Sequence, residues 1–233
     1  MKGRAFAGGL IASITGLLAV MLIGLYSIAS IKEAYQWAMN RAGVYESAGV
    51  DRDTLDAVAG DIARYIGERN PSVAFDRVVV MDGLERPELN DTEAEHMRDV
   101  RRLFGYIGNA GGAFALACAI SVMFTIRIKR GRATGCGMLA GTGAMMMLAL
   151  AIFIAIRADF YNFFVALHER LFTNDLWYMN PETDLLIRMT PSGFYISMGM
   201  IVGAAWLAAV VITLAIGLRL VLPGRGRAAR NAV

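Results

Sequence analysis

The chain has 233 residues, 56% of them hydrophobic and only 18% charged, with 25 Gly, 14 Met and a mean hydropathy of +0.48. That composition excludes a soluble globular enzyme and a disordered tail, and its long apolar runs exclude a β-barrel, whose strands alternate over about 10 residues. A net charge of +3 and an isoelectric point near 9.0 would suit a nucleic-acid partner, but the placement of the charges excludes one.

Four blocks hold the apolar excess: residues 5–29, 104–126, 135–156 and 194–222, with Arg219 their only ion. Each is long enough to cross roughly 30 Å of hydrocarbon as a helix. The expected fold is an all-α membrane protein, a single membrane domain over 1–233 with four transmembrane helices, a long and partly structured first outer loop at 30–103, a second at 157–193 and a short connector at 127–134. The first block follows Met1-Lys2-Gly3-Arg4 as a signal peptide would. Its apolar run exceeds the usual span of about 7–15 residues, so it reads as a retained anchor.

Lys2, Arg4, Arg127, Lys129, Arg130, Arg132, Arg219, Arg225, Arg227 and Arg230 stand without a single acid among them. All 20 acidic residues lie in 30–103 and 157–193, where the remaining basic residues leave an acidic excess. By the positive-inside rule both termini and the connector are expected in the cytoplasm, and both long loops outside it. The blocks contain no acid, His or Lys, so chemistry is expected at the extracytoplasmic loops rather than through the bilayer. Gly108/Gly112, Gly137/Gly141 and Gly199/Gly203 read as small-xxx-small pairs for close helix packing. Cys118 and Cys136 read as small packing residues.

Within the first loop, residues 51–69 carry Leu55, Val58, Ile62, Tyr65 and Ile66 at helical spacing, with Asp56, Asp61, Arg64 and Glu68 between them. This predicts an amphipathic helix, ended by Pro71. Residues 75–81 suit a short strand, though one hairpin alone is weak. Thr92-Glu93-Ala94-Glu95 reads as a capping box that starts a helix running into the second span. His96 falls on the edge of its inward stripe, with Asp99 beside it to orient the imidazole, roughly 12 Å before the span begins at Phe104.

The second loop holds Phe160, Tyr161, Phe163, Phe164, Phe172, Trp177 and Tyr178. An aromatic belt would account for them, yet His168 falls within their helical face. These are the only two His of the chain. Both stand at interface depth, and together they read either as structural caps or as a functional pair.

Two segments carry a resemblance: Glu95-His96-Met97-Arg98-Asp99-Val100-Arg101, and Phe160, Phe164, His168, Phe172, Trp177, Asn180-Pro181, Asp184-Leu185-Leu186-Ile187, Pro191 and Phe194. There the chain resembles the bacterial lipoprotein intramolecular transacylases and their four-span family. It departs from them with Arg101 in place of Lys, and with Ser192-Gly193-Phe194-Tyr195 in place of an acidic pair followed by two Phe.

The resemblance implies transfer of the sn-2 acyl chain of a diacylglyceryl-modified N-terminal cysteine to its own α-amine, giving a lyso-form lipoprotein. Such a substrate brings its own nucleophile and ester, so the protein handles protons, the oxyanion and positioning. It implies His168 as base and His96 as its partner, with the reverse assignment open. Glu95, Asp99, Phe164, Trp177, Asn180 and Asp184 would support them, and Asn174 or Asp175 could place headgroup atoms. Asp184 reads equally as a helix cap. No cofactor or metal is expected, and the expected partners are diacylglyceryl lipoproteins and membrane lipid. Two other classes remain: a metal-dependent membrane hydrolase, whose His168-Glu169 lacks the second His of the zinc helix motif, and a non-enzymatic scaffold.

Overall fold

The computed structural model describes residues 1–222; Arg225, Arg227 and Arg230 lie outside them. Four long helices carry the apolar blocks: α1 (Lys2–Ala29), α5 (Asp91–Ile128), α6 (Gly131–Ala158) and α9 (Ser192–Val221), all long and apolar enough to cross a membrane. Between α1 and α5 come α2 (Lys32–Arg41), α3 (Val44–Ser47), α4 (Arg52–Gly67) and the strands β1 (Val78–Met81) and β2 (Leu84–Pro87). Between α6 and α9 come α7 (Phe160–Leu171) and α8 (Leu185–Met189).

The contacts divide the chain into two compact units. The first comprises Met1–Ile23, Asn109–Arg157 and the described part of Gly203–Val233. Leu17, Met145, Trp206 and Val210 form its core, and Leu116, Phe153, Val211 and Ile212 are exposed, as lipid-facing residues are. Its backbones approach closely through glycine. A Cβ on Gly137 would stand 2.0 Å from the Phe6 carbonyl oxygen, and one on Gly9 2.1 Å from that of Thr134. Gly141 and Gly135 are similarly tight against α1 and α9.

Of the three expected glycine pairs, only Gly137/Gly141 serves this role. Gly112, Gly199 and Gly203 would meet no atom within 4 Å, and Gly108 meets only the Tyr26 ring. Spacing alone cannot tell which face of a helix meets a neighbour. Both cysteines are free thiols, and Cys118 Sγ donates to the Ala12 carbonyl.

The second unit comprises Gly24–Gly108 and Ala158–Val202. Leu55, Val58 and Ile62 of α4, Met39 of α2, and Leu185 and Met189 of α8 are buried in one core. The predicted amphipathic helix is α4, with Asp51 as N-cap accepting from the Thr54 amide. It ends at Gly67, before Pro71. Asp61, expected on the polar face, is 5% exposed. Arg64 and Arg77 both pair with it and offset its desolvation.

The strand expected at 75–81 forms at its second half and closes a hairpin, with Val78 opposite Pro87 and Met81 opposite Leu84. Asp82 and Gly83 both take positive φ, 52° and 82°, as an Asp-Gly two-residue turn requires. So short a hairpin is held from outside. The Asp82 amide donates to the Gly49 carbonyl at 2.9 Å, and Arg188 reaches the Asp82 carboxylate at 2.7 Å.

The helix predicted to run into the second span does so without a break, but its box is Asn90-x-x-Glu93 and not Thr92-x-x-Glu95. Asn90 Oδ1 accepts from the Glu93 amide at 2.9 Å, and Glu93 Oε2 accepts from the Asn90 amide at 2.8 Å. Two overlapping sequences fit the motif. The one whose acid could be buried and matched prevails.

Candidate functional site

Glu93 is fully buried. Besides capping α5, it accepts from the Leu186 amide at 2.7 Å and pairs with Arg86 of β2 at 2.5 Å. One carboxylate therefore joins β2, the start of α5 and the start of α8. A buried charge is tolerable only with such a set of donors. His96 is three residues further along α5, so this knot fixes the turn that presents it.

Asp184 works beside the knot, though not as the side-chain cap of α8. Its Oδ1 accepts from Asn90 Nδ2 at 2.8 Å and from Thr183 Oγ1 at 3.0 Å, and its Oδ2 accepts from the Asn180 amide at 2.8 Å. Asn180 Oδ1 accepts from the Glu182 amide at 3.0 Å. Asn180 and Asp184 thus lock the 180–184 loop. The cap expected from Asp184 comes to α8 from Glu93.

His96 is buried and His168, one turn from the end of α7, is half-buried. Their ring centroids lie 6.4 Å apart. Phe172 stands 5.0 Å from His96 and 5.5 Å from His168, while Phe164 and Trp177 lie 3.9 and 5.2 Å from His168. Residues distant in sequence therefore share one aromatic cage. His168, Phe164 and Phe172 meet because α7 spaces them one turn apart.

The two imidazoles are not equivalent. His168 Nδ1 lies 2.8 Å from the Phe164 carbonyl oxygen. A carbonyl only accepts, so Nδ1 carries the proton and Nε2 keeps its lone pair. His96 Nδ1 is buried without a partner among the described residues. Asp99, expected to orient it, instead accepts from Asn174 Nδ2 at 2.9 Å and from Arg102 at 3.2 Å.

Burial pulls the His96 pKa down to about 4, neighbouring His168 adds to the fall, and Asp99 opposes it. Burial also lowers His168, against the bond to Phe164. Both rings are therefore neutral near pH 7.

His96 also lines an apolar cavity of about 270 Å³ with Ile66, Phe104, Phe194, Tyr195 and Met198. Tyr195 escaped the sequence reading. Its ring lies 5.5 Å from Phe164, and its hydroxyl donates to Thr190 Oγ1 at 3.3 Å. An apolar recess with a neutral imidazole in its wall suits an apolar ligand better than a charged one. Glu95 pairs with Arg98 rather than with either His, and Asp175 is exposed. Among the described residues no cluster of three or more His, Cys, Asp or Glu could hold a metal.

The family model described as lipoprotein intramolecular transacylase Lit matches residues 10–195. The structure is similar to that of the membrane integral lipoprotein intramolecular transacylase Lit from Bacillus cereus, with TM-score 0.78 and 17% identity over 95% of this chain and 97% of that one. Two further structures of that protein, in which one histidine is replaced by Arg or by Ala, match at TM-score 0.69 and 18% identity. They cover 97% and 92% of this chain, and 93% and 92% of theirs. No protein of curated function matches the chain.

Proposed function

The chain belongs to the lipoprotein intramolecular transacylase family, and from that premise we propose that it moves the sn-2 acyl chain of a diacylglyceryl-modified N-terminal cysteine onto the α-amine of the same residue. The juxtaposed, inequivalent imidazoles of His96 and His168 are the observation that carries this reading.

An α-ammonium with a pKa of about 7.7–8.0 first releases a proton to solvent, and the neutral amine is the species that attacks. His168 Nε2, its lone pair free because Nδ1–H is donated to Phe164, takes the proton of the attacking amine. The amine nitrogen bonds to the ester carbon, and the carbonyl oxygen becomes an oxyanion. When that intermediate collapses, the bond from the acyl carbon to the glyceryl oxygen breaks, and His168 returns the proton to that oxygen. The result is an amide and a free hydroxyl, with no atom gained or lost.

His96 is the partner that orients the ester. Its depressed pKa keeps it neutral, so it acts by donating a hydrogen bond to the developing oxyanion rather than by carrying a charge. Phe164 and Trp177 hold the His168 ring, and the apolar cavity beside His96 takes an acyl chain. Asn180 and Asp184 shape the frame without touching the reacting atoms.

The charge asymmetry supports a site at the extracytoplasmic face with both termini in the cytoplasm. Cysteines placed singly at Ser47 and Thr173 should then label from outside, and one at Ala133 should not; strong outside labelling at Ala133 contradicts this topology.

Purified protein mixed with a synthetic diacylglyceryl-cysteine peptide should block the peptide's α-amine against an amine-reactive reagent, with or without EDTA. An amine that stays reactive contradicts the reading, and loss of conversion on chelation with recovery on zinc supports a metal hydrolase instead.

A further inference from the structure

A larger cavity, about 650 Å³, is lined by Tyr26, Tyr65, Arg69, Arg98, Arg101 and Arg102, with Glu68 as the one acid in its wall. Arg98 and Arg102 are matched by Glu95 and Asp99. Arg69 and Arg101 have no carboxylate partner among the described residues. Arg101 is nevertheless held in place, for its Nη2 donates to the carbonyls of Glu68 at 3.1 Å and Arg69 at 2.8 Å, and its guanidinium lies 5.3 Å from the Tyr65 ring centre. This leaves a preordered guanidinium with spare donors beside a second, exposed one.

Arg101 precedes the apolar run at Phe104 by three residues, roughly 4.5 Å along the helix, which is the depth of lipid headgroups. A diacylglyceryl cysteine carries no phosphate, so the transacylase chemistry leaves this cleft without a role. We propose that it binds the phosphate of an anionic phospholipid. Guanidinium groups suit phosphate because their planar donors engage two oxygens at once, and basic pockets at the membrane surface take anionic headgroups. Arg101 and His96 share α5, so the bound lipid steadies the helix that presents the histidine.

The test is a binding titration of the full chain in neutral detergent, read without turnover, so that failure of the transacylase reading leaves its outcome intact. Phosphatidylglycerol should bind at least about tenfold tighter than phosphatidylcholine. Arg69→Gln and Arg101→Gln should each weaken that binding by about tenfold or more, the loss expected for a charge-assisted hydrogen bond, and Arg101→Lys should weaken it less than Arg101→Gln. Arg69 is exposed, so its variant carries the test even if Arg101→Gln does not fold. Phosphatidylglycerol binding that is unchanged in Arg69→Gln overturns the proposal, as does equal binding of the two lipids. Displacement of phosphatidylglycerol by an equal concentration of inorganic phosphate overturns the lipid as the source of the phosphate.

Discussion

The two units of the chain solve opposite packing problems. In the first, whose apolar side chains face lipid, backbones meet at glycines, and no ion pair lies among its described residues. Lipid is as apolar as the side chains, so contact area and not hydrophobic transfer holds those helices together. In the second, a core of large side chains surrounds Asp61, Glu93 and Asp184, all buried and supplied with donors. Matched buried charges cost desolvation but admit few alternative arrangements. The lesson is where reactivity can be built: a neutral, positioned imidazole needs a frame of directional bonds, and only the second unit has one.

The largest effect expected from breaking that frame is chemical. His168→Ala should lower the rate of amine blocking by roughly 10² to 10⁴, the contribution of a general base, while the thermal unfolding midpoint moves little because the side chain is only half-buried. Full activity in this variant would assign the base elsewhere.

Next comes the carboxylate knot. Glu93→Ala strands Arg86 and two amides and should cost about 3–5 kcal/mol of stability. Glu95→Ala removes only an exposed i,i+3 pair with Arg98 and should cost below about 1 kcal/mol. Thermal unfolding in detergent measures both, and equal losses would remove the distinction between them.

The first unit should respond to volume and not to charge. Gly137→Ala would press a methyl group against the Phe6 carbonyl and should cost about 1–3 kcal/mol. Gly112→Ala, which meets open space, should be near neutral. Turnover per folded molecule should be unchanged in both.

The most gradual effect is in pH. His96 titrates near 4 when folded and near 6.5 when unfolded, so the unfolded chain binds the proton first and stability falls as pH drops through that window. The slope reaches at most about 1.4 kcal/mol per pH unit. Glu88, whose pKa is raised to about 7 chiefly by burial and then by Asp61, acts with the opposite sign in the same window. The difference between the wild type and His96→Gln isolates the histidine. A difference that stays flat from pH 6.5 to 4 would contradict the burial of His96.

The spans, the amphipathic α4 and the continuous α5 are legible in the sequence because each follows from periodicity and length. The pairing of the two histidines is legible because they are the only ones of the chain and each falls on an inward helical stripe. What sequence could not resolve is partner choice. The Asn90 and Thr92 boxes overlap, and only the tertiary position of Arg86 and Leu186 selects Glu93. Asp99 stands beside His96 on the helical wheel, but Asn174, 75 residues away, claims its carboxylate. Tyr195 lay inside a departure from the family pattern, where the aromatic ring itself was the available signal.

The central claim is that the polar unit moves one acyl chain within a single substrate, and fragment-ion mass spectrometry of a reporter lipoprotein's N-terminal peptide tests it most directly. In bacteria that make diacylglyceryl lipoproteins, the account predicts an unchanged total mass on expression of this chain, with one acyl group now on the cysteine nitrogen and a hydroxyl freed on the glyceryl group. A well-expressed protein that leaves the amine free, or one that adds an acyl group to the total mass, would contradict it.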